Sequence, residues 1–344
     1  MRNLDICFCF NDNYTVPAAI AFYSLLESAS EDVFYTIYVL GSCKSDQNIK
    51  LLKTVISKFQ NRAELIFIDT DDFFKNKYID CNFNTENGAF TYDILARCFL
   101  ELFFPDKKKI IYSDVDVIFR DDISELYDLD LEDYYLAAVR GAFNQIDNYH
   151  EINHLSSDYL EKYKEFYSAG GIWVVNIQKA IADNLTQTKL DILINPEIYK
   201  RWPDQDLMNL AVKDKIKFIP LNFISYPYLL KSMRQDNFCS YYSSSELYDS
   251  IMHPKIIHFA YLKPWFDSNI VYADLWWAYY FYLDLEKYSV SNMVSYGSLS
   301  NEQRKILNEI KKINKKLKKY RKLTSVVSVL FFIFIILIAL VHIV

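Results

Sequence analysis

Between Leu4 and Ile68 the chain repeats one pattern, an apolar run, a polar break and a segment with helical spacing, and this alternation restricts the fold more than any other feature. Leu4 to Phe10 is an apolar run ended by Asn11-Asp12-Asn13. Val16 to Ala29 then carries Ala, Ile, Phe and Leu at helical spacing. Tyr35 to Leu40 predicts a second strand, Ser45 to Phe59 an amphipathic helix, and Glu64 to Ile68 a third strand. Strands joined through helices run parallel, and the crossover helices cover both faces of the sheet. The expected class is therefore α/β, a doubly wound, mixed but mostly parallel sheet. Thr91 to Phe104 predicts a further helix closed by Pro105, followed by strands over Lys109 to Ser113, Tyr134 to Val139 and Gly171 to Asn176. Ligands in such sheets bind beyond the carboxyl ends of the strands.

At one of those ends stand two carboxylates. The run Lys109 to Phe119 is apolar except where Asp114 and Asp116 interrupt it one residue apart. A buried carboxylate must be paired, hydrogen-bonded or metal-bound, and no Lys or Arg lies between the apolar halves. Hard oxygen ligands at a strand end suit Mg²⁺ or Mn²⁺, which keep positions open for a substrate's phosphates. For Asp-x-Asp by itself, an Asp-rich turn after a strand is the plainer account. The flanking sequence weighs against it. Asn11-Asp12-Asn13-Tyr14 lies at another predicted strand end, so the topology allows both clusters to share one crevice. No GxGxxG or P-loop is present, which removes the phosphate-cradling glycines that a dinucleotide or NTPase site requires.

Composition separates a globular part from a tail. With 51% hydrophobic and 17% aromatic residues among 344, and only 6 Gly and 8 Pro, the chain has material for a large core and little for linkers. One catalytic-sized domain is expected over residues 1–290. From Asn301 to Leu323 ten Lys or Arg face two Glu, a net of +8, so the rest carries −14 to give the total of −6. An acidic globular part argues against nucleic-acid binding. In residues 301–323, Ile306, Ile310, Ile313, Leu317 and Tyr320 alternate at spacings of four and three, an apolar seam on a basic helix. Thr324 to Val344 is uncharged apart from a possible proton on His342 and is long enough to span a bilayer. The expectation is a single-pass C-terminal anchor, with the basic flank and the domain before it on the cytoplasmic face of the inner membrane. Met1 to Phe10 is too short an apolar run for a signal peptide. Cys7, Cys9, Cys43, Cys81, Cys98 and Cys239 show no metal-site spacing and read as reduced structural thiols.

Several ordered blocks together carry a resemblance. They are Asn11-Asp12-Asn13-Tyr14; Arg97 leading into Glu101-Leu102-Phe103-Phe104-Pro105; Tyr112 to Val117; Ala169-Gly170-Gly171 with Val175-Asn176; Asp204 to Asn209; and His258-Phe259 with Lys263-Pro264-Trp265. From about Asp5 to Trp265 the chain resembles glycosyltransferase family 8, retaining nucleotide-sugar transferases that include bacterial lipopolysaccharide glucosyl- and galactosyltransferases. The resemblance implies a GT-A type fold. It also implies a metal, Mn²⁺ or Mg²⁺, on Asp114, Asp116 and His258, with Lys263 at the diphosphate and uridine held by Asn11, Asp12, Asn13 and Tyr14. Arg97 would lie near the donor, and Ser168 and Ala169 at the donor sugar. Asp204-Gln205-Asp206 would face that sugar, with Asp204 on its hydroxyls and Gln205 stabilising an oxocarbenium-like transition state in a same-face transfer; Asp206 is the alternative nucleophile. The implied reaction moves galactose or glucose from a UDP-hexose to a lipopolysaccharide-core or other lipid-linked glycan acceptor. A non-catalytic nucleotide-sugar-binding membrane scaffold is the rival.

Read without the resemblance, the same residues have plainer roles. His258 after Ile256-Ile257 is a hydrogen-bonded strand-end histidine, Asn11 to Tyr14 a helix-capping turn, Arg97 a helix charge, and Asp204 with Asp206 an acidic helix start favoured by the macrodipole. That last account leaves Gln205 unexplained. Two positions depart from the family pattern. Ser168 stands where Asn is common, and Phe259-Ala260-Tyr261-Leu262 lacks the glycine usual between the histidine and Lys-Pro-Trp. The polar, aromatic stretch Gly141 to Phe166 is the candidate for acceptor recognition.

Overall fold

The computed structural model describes residues 1–59, 61–70, 84–85, 88–89, 92–141, 165–195, 203–227, 242–260 and 262–288, with 312 and 316. The chain forms two compact units, Met1–Lys263 and Pro264–Val344. The first opens with β1 (Arg2–Cys9) and α1 (Thr15–Ser28), whose residues Thr15 to Leu26 are all buried. A helix apolar all round belongs inside, and here nothing charged falls in that stretch. β2 (Val33–Leu40), the amphipathic α2 (Asp46–Ile56) with Leu51, Leu52 and Val55 inward, and β3 (Ala63–Ile68) follow. A short hairpin, β4 (Asn84–Thr85) and β5 (Gly88–Ala89), precedes the next helical segment.

That segment is broken where the sequence predicts one helix. α3 (Tyr92–Ala96) passes into a 3₁₀ turn, Arg97–Phe99, and then α4 (Leu100–Phe103). Arg97, Cys98 and Phe99 are all buried, and the helix breaks at Phe99, which leaves helical dihedrals at φ −122° and ψ 35°. β6 (Lys109–Ser113), β7 (Val117–Phe119), β8 (Leu136–Arg140) and β9 (Ser168–Asn176) come next, then α5 (Ile177–Ala182), α6 (Leu185–Ile194), α7 (Pro203–Val212), β10 (Ile216–Ile219), α8 (Ser244–Met252) and β11 (Ile256–His258).

The main sheet has the order β10-β8-β9-β6-β1-β2-β3. All its pairings are parallel except those of β9, which runs antiparallel to both β6 and β8. The sheet is thus mixed and mostly parallel, as expected. β7 leaves it to pair antiparallel with β11, setting Val117 opposite His258. α1 secures β7: Ser24 Oγ accepts the Phe119 amide at 3.1 Å, and Phe8 packs on Phe22 and Phe119 at 4.8 and 6.5 Å between ring centroids.

The second unit holds α9 (Ala273–Tyr282), in which Trp276, Trp277, Tyr280 and Phe281 are buried, Trp276 stacks on Tyr280, and Trp277 Nε1 donates to Pro264 O. Among the described residues no helix is long and apolar enough to cross a membrane. The expected anchor at 324–344, the basic helix at 301–323 apart from Lys312 and Lys316, and most of the Gly141 to Phe166 stretch lie outside the described residues.

Candidate active site

β6 delivers Asp114 and Asp116 beyond its carboxyl end, and two main-chain bonds hold the turn: Asp114 N donates to Gly171 O at 2.9 Å and Phe259 N to Asp116 O at 2.9 Å. The β7–β11 pairing brings His258 to the same place. Its Nε2 lies 3.4 Å from Asp114 Oδ2 and 3.2 Å from Asp116 Oδ1. Gly171 makes this possible. Its φ is +105°, and a Cβ there would stand 2.5 Å from His258 Nδ1. Nδ1 is buried without a hydrogen-bond partner, and the Nε2 edge is the one that faces the two carboxylates.

These three donors fit a divalent metal. All lie within 4.8 Å of one another. Their closest separations, 3.2 and 3.4 Å, approach the spacing of about 3 Å between adjacent ligands that are each about 2.1 Å from an octahedral dication. Two oxygens and an imidazole suit Mn²⁺ and related ions. The other oxygen of Asp114 is already engaged: Oδ1 accepts from Arg97 Nη1 at 2.7 Å and from the Tyr112 hydroxyl. The carboxylate is thereby oriented with Oδ2 toward His258.

Lys263 forms an ion pair with Asp116 Oδ2. Burial opposes ionisation of Asp116, but the Lys263 charge and the hydrogen bonds from His258 and Lys263 outweigh it and hold the carboxyl well below the usual range. Burial likewise opposes the Lys263 ammonium, and Asp116 more than offsets it, raising the lysine pKa.

Arg97 is 8% exposed and lies over the rings of Tyr112 and Trp173, at 5.3 and 5.0 Å. Its Nη1 donates to the Tyr112 hydroxyl at 3.0 Å as well as to Asp114, while Nη2 pairs with Asp204. One guanidinium thus joins the two acidic motifs. Burial lowers its pKa, but the surrounding negative groups dominate, so it stays charged.

Around these groups runs a cleft of about 310 Å³, lined by Cys9, Phe10, Asn11, Tyr14, Asp93, Ile94, Arg97, Tyr112, Asp114 to Asp116, Asp204 and Lys263. Four aspartates against Arg97 and Lys263 give it a formal charge of −2. A diphosphate entering such a cleft needs additional positive charge, which a divalent cation would supply.

The remaining sequence-predicted residues divide. Asn11 and Tyr14 reach the cleft. Asn11 Oδ1 also accepts the Asn13 amide at 3.1 Å, as a capping turn does. The Asp12 carboxylate turns instead to the start of α2, accepting from Asn48 Nδ2 at 2.7 Å and from the amides of Lys44 and Ser45. Ser168 and Ala169 are buried; Ser168 bonds to Asn209, and Ala169 O accepts from Trp173 Nε1. Gln205 spans Gly170 N and the Tyr167 hydroxyl, each at 2.8 Å. Asp206 has no exposed surface and also accepts from Tyr167, at 2.8 Å. Tyr112, Tyr167, Asn209 and Tyr226, whose hydroxyl donates to Gly170 O at 3.1 Å, are supports that the sequence reading did not single out. Tyr112 and Asn209 lie within the motif blocks and Tyr167 beside one, whereas Tyr226 lies in none of them and carried no signal in the sequence.

A carboxylate–histidine cluster able to hold a divalent metal thus stands at the end of β6 in a mixed, mostly parallel sheet, and the comparisons give the class of protein. The sequence profile of glycosyl transferase family 8 matches residues 5–269, and the chain belongs to that family. It is a glycosyltransferase. It is 26% identical over 279 residues to a lipopolysaccharide 1,2-glucosyltransferase of Escherichia coli, covering 79% of this chain and 76% of that one. Over 298 residues it is 25% identical to general stress protein A of Bacillus subtilis, covering 83% and 95%. The fold is shared with the galactosyltransferase LgtC, solved with donor and acceptor sugar analogues, at a TM-score of 0.61 and 19% identity over 88% of this chain and 100% of that one. It is shared also with the bifunctional glycosyltransferase WbbM, at a TM-score of 0.64 and 22% identity; the match covers 89% of this chain and 51%, about half, of WbbM.

Proposed function

We propose that this glycosyltransferase moves galactose or glucose from a UDP-sugar to a lipopolysaccharide-core or other lipid-linked glycan. The observation that carries the reading is the convergence of Asp114, Asp116 and His258, with Lys263 alongside, in a cleft whose own charge is negative. Asp114, Asp116 and His258 would hold Mn²⁺ or Mg²⁺, which when bound supplies positive charge to a diphosphate leaving group. Lys263, kept as an ammonium, adds a second positive charge to that diphosphate. Tyr14 and Asn11 at the cleft edge offer a ring and an amide to the nucleoside. Arg97 holds Asp204 toward the cleft, where it receives sugar hydroxyls. Asp206, without exposed surface, has no face to offer a sugar as a nucleophile, which favours same-face transfer with Gln205 behind Gly170 as the stabilising dipole. Relatives named for lipopolysaccharide glucosyl and galactosyl transfer support the acceptor class. The basic stretch 301–323 and the apolar stretch 324–344 suit an enzyme held at the cytoplasmic face of the membrane that carries its acceptor. Retention of all three metal donors speaks against a scaffold that only binds.

The experiment is hydrolysis of UDP-glucose and UDP-galactose by the full chain with Mn²⁺ and with EDTA. Turnover of one sugar, abolished by EDTA and restored by Mn²⁺, is expected. Equal turnover in EDTA removes the metal role, and no turnover of either sugar removes the donor assignment.

A further inference from the structure

Directly behind the Arg97 turn lies a buried ion pair that plays no part in the site described above. Lys189 on α6 has no exposed surface and Glu101 on α4 only 2%. Lys189 Nζ is 2.6 Å from Glu101 Oε1 and also donates to Cys98 O at 2.5 Å. The same Oε1 accepts from the Thr186 hydroxyl at 2.6 Å. Cys98 Sγ in turn donates to the main-chain carbonyl of Asp204 at 3.3 Å. Cys98 is therefore gripped on both sides, by its carbonyl from α6 and by its thiol from the first turn of α7. Its neighbour in sequence is Arg97, which spans Asp114 and Asp204.

Such a pair is a weak stabiliser. Desolvation offsets most of the attraction, and apolar residues of similar volume often serve stability as well or better. The 3₁₀ turn supplies a different reason for it, because an interrupted helix does not by itself fix where Arg97 points. We infer that Lys189 and Glu101 are positioning residues for the transfer reaction: they lock the Arg97–Phe99 turn against α7 and so set the guanidinium between Asp114 and Asp204. The inference rests on the reading of Arg97 and Asp204 as part of the donor site.

The test replaces both charges together in the full chain, Lys189→Met with Glu101→Leu, so that no lone charge is left buried. The expected result is an unchanged or raised melting temperature, kcat for UDP-glucose or UDP-galactose hydrolysis lowered about ten- to hundred-fold, KM changed less, and Arg97 displaced from Asp204 in a crystal structure. In an Arg97→Lys background the double replacement should cost nothing further, since it acts through Arg97. Wild-type kcat with Arg97 in place, or the same loss in both backgrounds, overturns the inference. Arg97→Lys alone separates the two readings: wild-type turnover by that variant defeats the donor-site reading, whereas an impaired Arg97→Lys beside an unimpaired double variant defeats the positioning role only. The crystallographic readout stands whichever sugar is used. Should the double variant not fold, Thr186→Val loosens the clamp at a half-buried position, and wild-type kcat in that variant contradicts the inference.

Discussion

Two of the three proposed metal ligands are aimed by neighbours that have little freedom themselves. Asp114 is turned by Arg97 and Tyr112, and His258 by the space that Gly171 leaves open. Gly171→Ala therefore strains a left-handed position, at a cost of about 1–3 kcal/mol, and drives a methyl into the imidazole. Mn²⁺ affinity measured by calorimetry should fall at least about ten-fold, as for other supports of a metal ligand; unchanged affinity would show that the histidine is not held there by the glycine. The carboxylate pair was legible at this scale only with its flanking blocks, since Asp-x-Asp alone reads as an Asp-rich turn and it is the ordered His-Lys-Pro-Trp block that sets it apart. The supporting tyrosines were not. Tyr112 ends an apolar run and Tyr167 follows the polar, aromatic stretch, and at either place a phenol is indistinguishable from core until its hydroxyl is seen to meet Asp114 or Asp206.

Among the elements, the loop after β1 shows how one motif serves two purposes. Asn11 and Tyr14 face the cleft, while Asp12 fastens this loop to the start of α2, whose N-cap Ser45 makes no side-chain cap bond. Partial burial raises the Asp12 pKa, but bonds from Asn48 and the amides of Lys44 and Ser45 prevail and lower it. A lowered folded value means that the carboxylate stabilises above its unfolded pKa of about 3.9 and that this contribution is lost as pH falls through the folded value. Asp12→Asn should thus lower the melting temperature by about 2–4 °C at pH 7, with the gap to wild type closing below pH of about 4 and UDP affinity retained. Lost UDP affinity with an unchanged melting temperature would return Asp12 to the nucleotide. Strand and helix alternation was readable because each segment has its own period. The direction of β9 was not, since a strand buried on both faces shows the same unbroken apolar run whether its neighbours are parallel or antiparallel. The break at Arg97–Phe99 was hidden for a related reason: one arginine among apolar neighbours does not distort a helical pattern.

For the whole molecule, every proposed site residue falls within the unit Met1–Lys263, and the stretches proposed to meet the membrane come after residue 300. Removing residues 324–344 should accordingly leave UDP-sugar hydrolysis intact, shift the enzyme to the soluble fraction, and leave weak, salt-sensitive binding to anionic vesicles through 301–323. Aggregation with loss of hydrolysis would contradict that division of labour. Asp114, Asp116 and His258 are proposed to hold a divalent metal through which this negative cleft accepts a nucleoside diphosphate. Calorimetric titration of UDP into wild type and Asp116→Asn, each with Mn²⁺ and with EDTA, tests it most directly. UDP should bind to wild type only with Mn²⁺ and to Asp116→Asn under neither condition, while circular dichroism shows both proteins folded; equal binding in EDTA, or undiminished Mn²⁺-dependent binding to the variant, would contradict it.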